Sequence, residues 1–177
     1  ISSKTIEGLI DSGHECTLLT MQLNDPTGYG GVITNGQNFA LKIIEQKDAS
    51  EVELKIEEVF TGILLIDGSL LRPALEEIKN QNSANEYYLT DLVEILSGKG
   101  VKIKCIQANP AEVLGANNKH ELHELELILR KMSAKKLLEQ GITLIDKTRV
   151  DVRGKVVAGK DCSIDVNVIL ELSLIHI

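Results

Sequence analysis

The sequence predicts an α/β fold, followed by one long helix and the start of a parallel β-helix. Three observations support this prediction. Short apolar runs of strand length alternate with helical segments of about ten residues, which is typical of a layered α/β sheet. From residue 121 to residue 140, apolar residues recur at helical spacing with charged residues between them. Beyond that segment, apolar residues recur every six positions.

The composition permits a real hydrophobic core and argues against two classes of partner. The chain has 177 residues, 43% of them hydrophobic but only 3% aromatic, so its core must rest on Leu, Ile and Val. This length suits one domain, or one and a fraction. The formal net charge is −7, and no basic cluster offsets it. Nucleic acids and anionic membranes both require a positive surface, so we expect neither partner.

The cysteines and the chain ends bear on the cellular compartment. Cys16, Cys105 and Cys162 are far apart and form no C-x-x-C pair, which predicts reduced, buried thiols in a cytosolic, cytoplasmic protein. No apolar run approaches the ~20 residues of a membrane-spanning helix, and no signal peptide is recognisable. The sequence begins at Ile1 without Met, from which we expect the true start to lie upstream.

Before residue 119, strands and helices are predicted in alternation. A short helix that carries Leu9 on its apolar face is predicted to end near Gly13. Ser50 and Glu53 form a capping box that opens another short helix. A turn at Asn35-Gly36 predicts a hairpin. The predicted strands cover residues 16–23, 32–33, 39–45, 59–66 and 101–106. Two further helices are predicted across residues 70–78 and around Leu92, Val93 and Leu96, closed by Gly98.

The last third of the chain has two patterns of its own. Residues 121–140 predict a long amphipathic helix that Gly141 ends, with Leu122, Leu125, Leu129, Met132 and Leu137 on its apolar positions. Two interleaved registers of six residues follow, which indicates a left-handed or related parallel β-helix with fewer than three full repeats. The registers are Val156, Cys162 and Val168, and Ala158, Ile164 and Leu170.

A Gly-rich loop at residues 25–31 is the most informative local feature. Gly28, Gly30 and Gly31 would let the backbone approach a ligand closely and expose N–H groups to it. The alternative interpretation is an ordinary surface turn. The loop is neither G-x-G-x-x-G nor a Walker loop, so it predicts no dinucleotide site and no P-loop.

Four other polar segments have a structural interpretation, and two of them also raise the question of a metal site. Asn117 and Asn118 can cap the long helix, or supply a carboxamide oxygen to Mg²⁺. Residues 86–91 can pack and cap a helix, and residues 45–48 resemble a solvated charge run. His120 and His123 surround Glu121 in the order H-E-x-H, which does not match the H-E-x-x-H of zinc proteases, so a solvated helix face is favoured.

Taken in order, five segments resemble the family of bifunctional N-acetylglucosamine-1-phosphate uridyltransferases/glucosamine-1-phosphate acetyltransferases. These segments are D-P-T-G-Y-G at 25–30, E-Q-K-D-A at 45–49, T-G-I at 61–63, E-Y-Y-L-T-D at 86–91 and G-A-N-N-K at 115–119. The resemblance implies a partial Rossmann-like nucleotidyltransferase domain, a linker helix and the first part of a left-handed β-helix. The implied boundaries are 1–120, 121–141 and 142–171, with residues 172–177 expected to be a non-native tail.

The resemblance also implies the reaction and the site. The family joins UTP and N-acetylglucosamine 1-phosphate to UDP-N-acetylglucosamine, a precursor of peptidoglycan and lipopolysaccharide, with Mg²⁺ neutralising charge. By position, Gly30 matches a glycine whose backbone contacts the amino sugar, and Glu45 matches a carboxylate that binds sugar hydroxyls. Tyr88 and Thr90 match residues that line the sugar and phosphate pocket. Asn117 matches a ligand of the catalytic Mg²⁺.

Two kinds of departure qualify the resemblance. Phe60 stands where the family usually has an Asn that hydrogen-bonds the sugar, and Gly31 stands where Arg is common. The family's nucleotide loop, its basic catalytic residues and an aspartate metal ligand all precede the segment that matches Ile1. We therefore expect this chain alone to be inactive. The resemblance also implies that the parent is a homotrimer formed through the β-helix. The alternatives are a nucleotidyltransferase for another sugar 1-phosphate, and a non-catalytic β-helix assembly module.

Overall fold

A computed structural model describes residues 1–116 and 118–171 of the chain. The chain divides into two compact units, Ile1–Leu114 and the part from Gly115 onward. The division lies close to the predicted boundary at residue 120. None of the described helices is long and apolar enough to cross a lipid bilayer.

The first unit is built on five strands whose pairings close on themselves. In chain order the strands are β1 (Cys16–Gln22), β2 (Gly31–Thr34), β3 (Phe39–Ile44), β4 (Glu58–Ile66) and β5 (Ile103–Gln107). Their spatial order is β1-β4-β2-β3-β5, and β5 pairs with both β3 and β1. All five lie where the sequence predicts strands.

The strand pairings differ from those of an open Rossmann-like sheet. Within this unit, the β1–β5 pair is parallel, whereas the other pairs are antiparallel. A short connection explains one of the antiparallel pairs, because parallel neighbours need a crossover of a dozen or more residues. Only residues 35–38 join β2 to β3, so these strands can pair only as a hairpin. The mixed α/β class is confirmed, with a sheet that is mostly antiparallel.

Helices cover both sides of β1, whose residues from Cys16 to Met21 are all buried. Four helices belong to this unit: α1 (Ser3–Ile10), α2 (Gly68–Leu75), α3 (Asp91–Gly98) and α4 (Pro110–Val113). Leu18 packs in a core cluster with apolar residues of α2 and α3. Leu19 packs in a second cluster with Leu9 of α1 and Val113 of α4. Because successive strand residues point to opposite faces, β1 supplies both clusters.

Several predicted details change in the structure. The capping box is confirmed, since Glu53 Oε2 accepts the Ser50 N–H at 2.9 Å, but it opens only one 3₁₀ turn, Glu53–Lys55. Gly98 lies inside α3, and Gly100, with a φ of +83°, is the left-handed residue after it. The predicted two-residue turn is a four-residue loop, in which Asn35 Oδ1 accepts the Gln37 N–H at 3.0 Å.

The second unit begins with the long helix α5 (Lys119–Glu139). Asn118 caps it, because its Oδ1 accepts the backbone N–H groups of His120 and Glu121 at 3.0 and 2.9 Å. Gly141 follows with a φ of +85°, as predicted for a helix end. Of the predicted apolar stripe, Leu137 is buried but Leu122 and Leu129 are 51% and 60% exposed. The stripe is therefore core only near the C-terminal end.

Two parallel strand pairs follow α5. Strand β6 (Thr143–Leu144) pairs with β8 (Ser163–Ile164), and β7 (Val150–Arg153) pairs with β9 (Val168–Glu171). Each partner lies roughly three of the predicted six-residue repeats later along the chain. The β-helix, including its start and its left-handedness, stays a prediction, and the predicted tail at 172–177 lies outside the described residues.

The three cysteines do not share one environment. All three are free thiols. Cys16 and Cys105 are buried, as predicted, whereas Cys162 is exposed, so the prediction of a buried thiol is wrong there. The six-residue register places Cys162 among apolar positions, but it precedes β8 and lies outside the small core of its unit.

Candidate functional site

Glu45 and Thr90 meet although they are far apart in the sequence. Glu45 directly follows β3, and Thr90 directly precedes α3. Thr90 Oγ1 donates a hydrogen bond to Glu45 Oε1 at 2.7 Å. A Thr at this position would normally cap its own helix, but Thr90 makes no side-chain cap bond. The hydroxyl therefore orients a carboxylate instead of stabilising the helix end.

Gly30 packs directly against Ile43 and Glu45. A Cβ atom added at Gly30 would lie 2.8 Å from Cγ2 of Ile43 and 3.7 Å from Oε1 of Glu45. Its carbonyl oxygen accepts the Phe60 N–H at 2.9 Å. The position requires glycine because of this close approach, since its φ is not in the left-handed range. Gly30, Glu45 and Thr90 are thus brought together.

The Gly-rich loop also contacts the segment that carries Glu45. The Gly28 N–H donates to Gln46 Oε1 at 2.8 Å, and the φ of Gly28 is +89°. Within the loop, Asp25 Oδ1 accepts the Thr27 N–H at 3.1 Å. These bonds stabilise part of the loop as a turn. They also show that residues 25–31 and 45–48 form one structural neighbourhood.

Tyr88 belongs to the same neighbourhood through Asp48. The Asp48 carboxylate accepts the Ser83 N–H at 2.9 Å, and this bond holds the pKa of Asp48 below its usual value. Partial burial, followed by the charge of Asp48 and a hydrogen bond to it, raises the pKa of Tyr88. Asp48 therefore ties the segment around Ser83 and Tyr88 to the segment that begins at Glu45.

A cavity of about 710 Å³ lies beside these groups, with Glu45 and Tyr88 in its wall. Gly30 and Thr90 flank Glu45 but are not part of the wall. The acidic side chains that line the cavity are Glu45, Asp48, Glu53, Glu77, Asp91 and Glu94, and its basic side chains are Lys42, Lys79 and Lys99. Acidic groups outnumber basic ones, so the cavity favours hydroxyl and amide donors over anions.

Two of the lysines are already paired. Lys42 Nζ lies 3.7 Å from Glu53 Oε1, and Lys99 forms an ion pair with Glu77. Burial raises the pKa of Asp91, and the neighbouring charges of Glu94 and others raise it further. This is the expected effect of crowding like charges around a partly desolvated carboxyl group.

Sequence reasoning missed Asp48 and Asp91 as members of this site. Residues 45–48 resemble a solvated charge run, and the sequence gives no sign that Ser83 and Tyr88 approach Asp48. The one available signal in the sequence was spacing, because Asp48 follows Glu45 by three residues. In the structure, the Asp48 N–H donates to the Glu45 carbonyl oxygen at 3.0 Å. Such a turn places both carboxylates on one side of the chain.

Phe60 lies close to this site but serves the core. Its side chain is partly buried and packs against the cluster that contains Leu18 and Ile43. Its backbone N–H is the donor to Gly30. The ring offers no hydrogen bond to a sugar, and it adds apolar surface on the side of the sheet where Ile43 approaches Gly30.

The predicted metal ligand lies outside the described residues. Asn117 is not among them, so its role as a Mg²⁺ ligand stays a prediction. Within the described part of the chain, no group of three or more His, Cys, Asp or Glu side chains is placed to hold a metal ion. His120 and His123 are exposed on α5, which agrees with a solvated helix face.

Sequence comparison relates nearly the whole chain to one kind of protein. Bifunctional protein GlmU from Idiomarina loihiensis is 46% identical over 155 residues, which is 87% of this chain and 34% of the relative. The protein of the same name from Burkholderia vietnamiensis is 44% identical over 170 residues, or 94% and 38% of the two chains. That from Methylococcus capsulatus is 43% identical over 172 residues, or 95% and 37%.

Two other comparisons add little. No family model matches the sequence. A crystal structure of a Bacillus anthracis protein, assigned as a glucose-1-phosphate thymidylyltransferase and bound to a sucrose, aligns with a TM-score of 0.43 and 22% identity. That alignment covers 60% of this chain and 40% of the other, and it is too weak to bear on the fold or the activity.

The relatives confirm the resemblance that the ordered motifs indicate. The similarity extends over almost all of the chain, whereas the chain spans only a little over a third of the length of the relatives that it matches. The chain therefore belongs to the family of the bifunctional GlmU proteins, as a stretch homologous to about a third of their length.

Proposed function

We propose that the first unit binds the sugar of N-acetylglucosamine 1-phosphate in an enzyme that joins it to UTP and releases pyrophosphate. The observation that supports this most directly is the hydrogen bond from Thr90 to Glu45 beside Gly30. A carboxylate held in a fixed orientation is a good acceptor for sugar hydroxyl groups. The Gly30 backbone lies next to it without an intervening side chain.

The charge around the cavity narrows the proposal. Acidic groups dominate its wall, and two of its three lysines are paired. We propose that the sugar hydroxyls lie near Glu45, while the phosphate points away toward groups that supply positive charge. Mg²⁺, with Asn117 as one ligand, would supply that charge in the parent enzyme.

The parent protein is proposed to be larger than this chain. The relatives are roughly three times as long and carry a name that denotes two activities. We propose a cytoplasmic parent that also transfers an acetyl group and that trimerises through a β-helix, of which β6–β9 would be the first coil. Because the chain spans only about a third of its relatives, we expect no pyrophosphate release from UTP and N-acetylglucosamine 1-phosphate by this chain alone.

Calorimetric titration with N-acetylglucosamine 1-phosphate tests the site. Glu45→Gln keeps the size of the side chain but removes its charge, so we expect binding to weaken roughly tenfold or more. Thr90→Val should weaken it as well, and Thr90→Ser, which keeps the hydroxyl, should restore it. Glu51→Gln is the matched control, because Glu51 is exposed and its substitution removes the same charge. Equal binding by Glu45→Gln and Glu51→Gln would contradict the proposal.

Phe60 favours a second candidate, the same reaction with another sugar 1-phosphate. An apolar ring near Gly30 cannot satisfy a polar N-acetyl group, and a missing hydrogen-bond partner can cost orders of magnitude in specificity. A panel of hexose 1-phosphates with and without the N-acetyl group distinguishes the two candidates. Tighter binding of a plain hexose 1-phosphate would favour the second candidate, and Phe60→Asn should then shift the preference toward the N-acetyl sugar.

A further inference from the structure

The arginines of this acidic chain are concentrated in one place. The sequence contains only four arginines among its 19 basic residues. Three of them, Arg130, Arg149 and Arg153, line a cavity of about 370 Å³ in the second unit. It shares no lining residue with the acidic cavity of the first unit. Arginine is the residue best suited to recognise planar or tetrahedral oxyanions, so its concentration here calls for a function.

The strand pattern explains how two of the arginines converge. Asp151 and Arg153 occupy alternate positions in β7, so they share one face of the strand. Arg149 stands directly before β7, two residues ahead of Asp151. Val150, on the other face, is buried in the small core of the unit. From α5, Arg130 reaches the same cavity. The buried Val150 therefore anchors β7, and the cavity wall receives Arg153 from the strand and Arg149 from the position directly before it.

One carboxylate in the cavity wall serves two of the three arginines. Asp151, whose side chain is 17% exposed, accepts a hydrogen bond from Nε of Arg153 at 3.0 Å. Its other oxygen lies 3.5 Å from Nε of Arg130, which is a long contact. Glu171, outside the wall, lies 3.5 Å from Arg153 Nη1. The carboxylates of Asp151 and Glu171 thus lie close to Arg130 and Arg153.

Arg149 is in a different position. Its Nε donates to the neutral side-chain oxygen of Asn167 at 3.0 Å. The nearest carboxylate on its own loop, Asp146, accepts the N–H and the hydroxyl of Thr148 at 2.8 and 2.6 Å. These bonds lower the pKa of Asp146, with a smaller effect from the charge of Arg149. Among the described residues, Arg149 therefore donates to a neutral acceptor, and it lines the cavity.

We propose that this cavity binds the phosphate group of a small phosphorylated molecule. Its wall carries three guanidinium groups and one carboxylate, a balance that a dianionic phosphate would neutralise. Asn167 and Thr148 add neutral polar groups to the wall. The site differs in charge from the acidic cavity of the first unit. The proposal does not depend on the function proposed for that unit.

Titration of the 177-residue chain with inorganic phosphate, followed by two-dimensional NMR at constant ionic strength, tests this site. We expect saturable shifts of the Arg149, Arg153 and Asn167 signals. Arg149→Ala should weaken phosphate binding roughly tenfold or more, the size expected for a lost charge-assisted pair. Arg72→Ala is the matched control, because it removes the only other arginine, which lies exposed on α2 of the first unit. It should change binding less than about twofold.

The same titration can overturn the proposal. Shifts that do not saturate, or equal weakening by Arg149→Ala and Arg72→Ala, would show that phosphate responds only to net charge. Displacement by chloride as effective as displacement by sulfate would show the same. Arg149→Lys keeps the charge but loses the planar fork, so binding should be intermediate. This variant carries the test if Arg149→Ala does not fold, and wild-type affinity in Arg149→Lys would contradict a site built on the guanidinium group.

Discussion

The two units of the chain are held together in different ways. In the first unit, β1 is buried along nearly its whole length, and Leu18 and Leu19 are completely inaccessible. In the second unit, the buried core cluster consists of Leu137, Ile142 and Val150. Its strands are short, and exposed arginines link β7 to α5 and to β9. The first unit is a packed core with a site beside it, and the second is a small core bordered by charges.

This difference bears on the stability and the uses of each unit. Burial of apolar side chains is the main source of folding free energy, whereas exposed ion pairs contribute about 0–1 kcal/mol each. We therefore expect the second unit to open at a lower free energy than the first. A rigid core suits the precise hydrogen bond between Thr90 and Glu45. The charged border of the second unit suits exchange of an anion with solvent.

The largest expected effect comes from opening the core of the first unit. Leu18→Ala removes a completely buried side chain, so it should lower the free energy of unfolding by about 2–5 kcal/mol. Leu41→Ala is the control, because Leu41 is 42% exposed and should cost less than about 1 kcal/mol. Urea denaturation measures both. A loss at Leu137→Ala in the second unit as large as that at Leu18→Ala would erase the contrast between the units.

A smaller effect is expected where the core meets the site. In Gly30→Ala the new methyl group would lie 2.8 Å from a branched methyl of Ile43, and overpacking of this kind costs about 1–3 kcal/mol. The shift should also displace Glu45 and weaken sugar-phosphate binding. Gly8→Ala is the control, since nothing lies within 4 Å of its Cβ position in α1. That substitution should stabilise the helix by about 0.5–1 kcal/mol. Unchanged stability and binding in Gly30→Ala would refute close packing there.

The smallest expected effect is a difference in reactivity between the thiols of the two units. Burial raises the pKa of Cys16 to about 11, and burial together with the charge of Glu58 raises that of Cys105 to about 12, while Cys162 is exposed. At pH 8 we expect a disulfide reagent to modify one thiol per chain rapidly and all three only after denaturation. Rapid modification of three thiols in the folded chain would contradict the buried core.

The raised thiol pKa values also set a direction for stability against pH. The folded chain holds these two protons more tightly than the unfolded chain, whose thiols titrate near the ordinary value of 9.0. The contribution of the two buried thiols to the free energy of unfolding is therefore complete below pH 9 and is lost as the pH rises toward 11 and 12.

The sequence predicted the elements better than their arrangement. Apolar runs of strand length placed all five strands of the first unit, because such runs report local burial. The closure of β5 onto both β1 and β3 depends on long-range pairing, which no local pattern encodes. The amphipathic pattern of α5 likewise could not tell that Leu122 and Leu129 stay exposed.

The candidate site was predicted in part for a similar reason. Motif order identified Gly30, Glu45, Tyr88 and Thr90, and three of these lie together in the structure. Asp48 was missed because its partner Ser83 lies 35 residues away. The convergence of Arg130 with Arg149 and Arg153 requires α5 to pack beside β7, which the sequence does not state.

The most direct test of the central claim is residue-level NMR mapping of N-acetylglucosamine 1-phosphate on the 177-residue chain. A sugar site in the first unit predicts saturable shifts centred on Gly30, Glu45, Tyr88 and Thr90, with the same shifts lost in Glu45→Gln and retained in Glu51→Gln. Shifts confined to the arginine-lined cavity of the second unit, or none at all, would contradict a sugar site in the first unit.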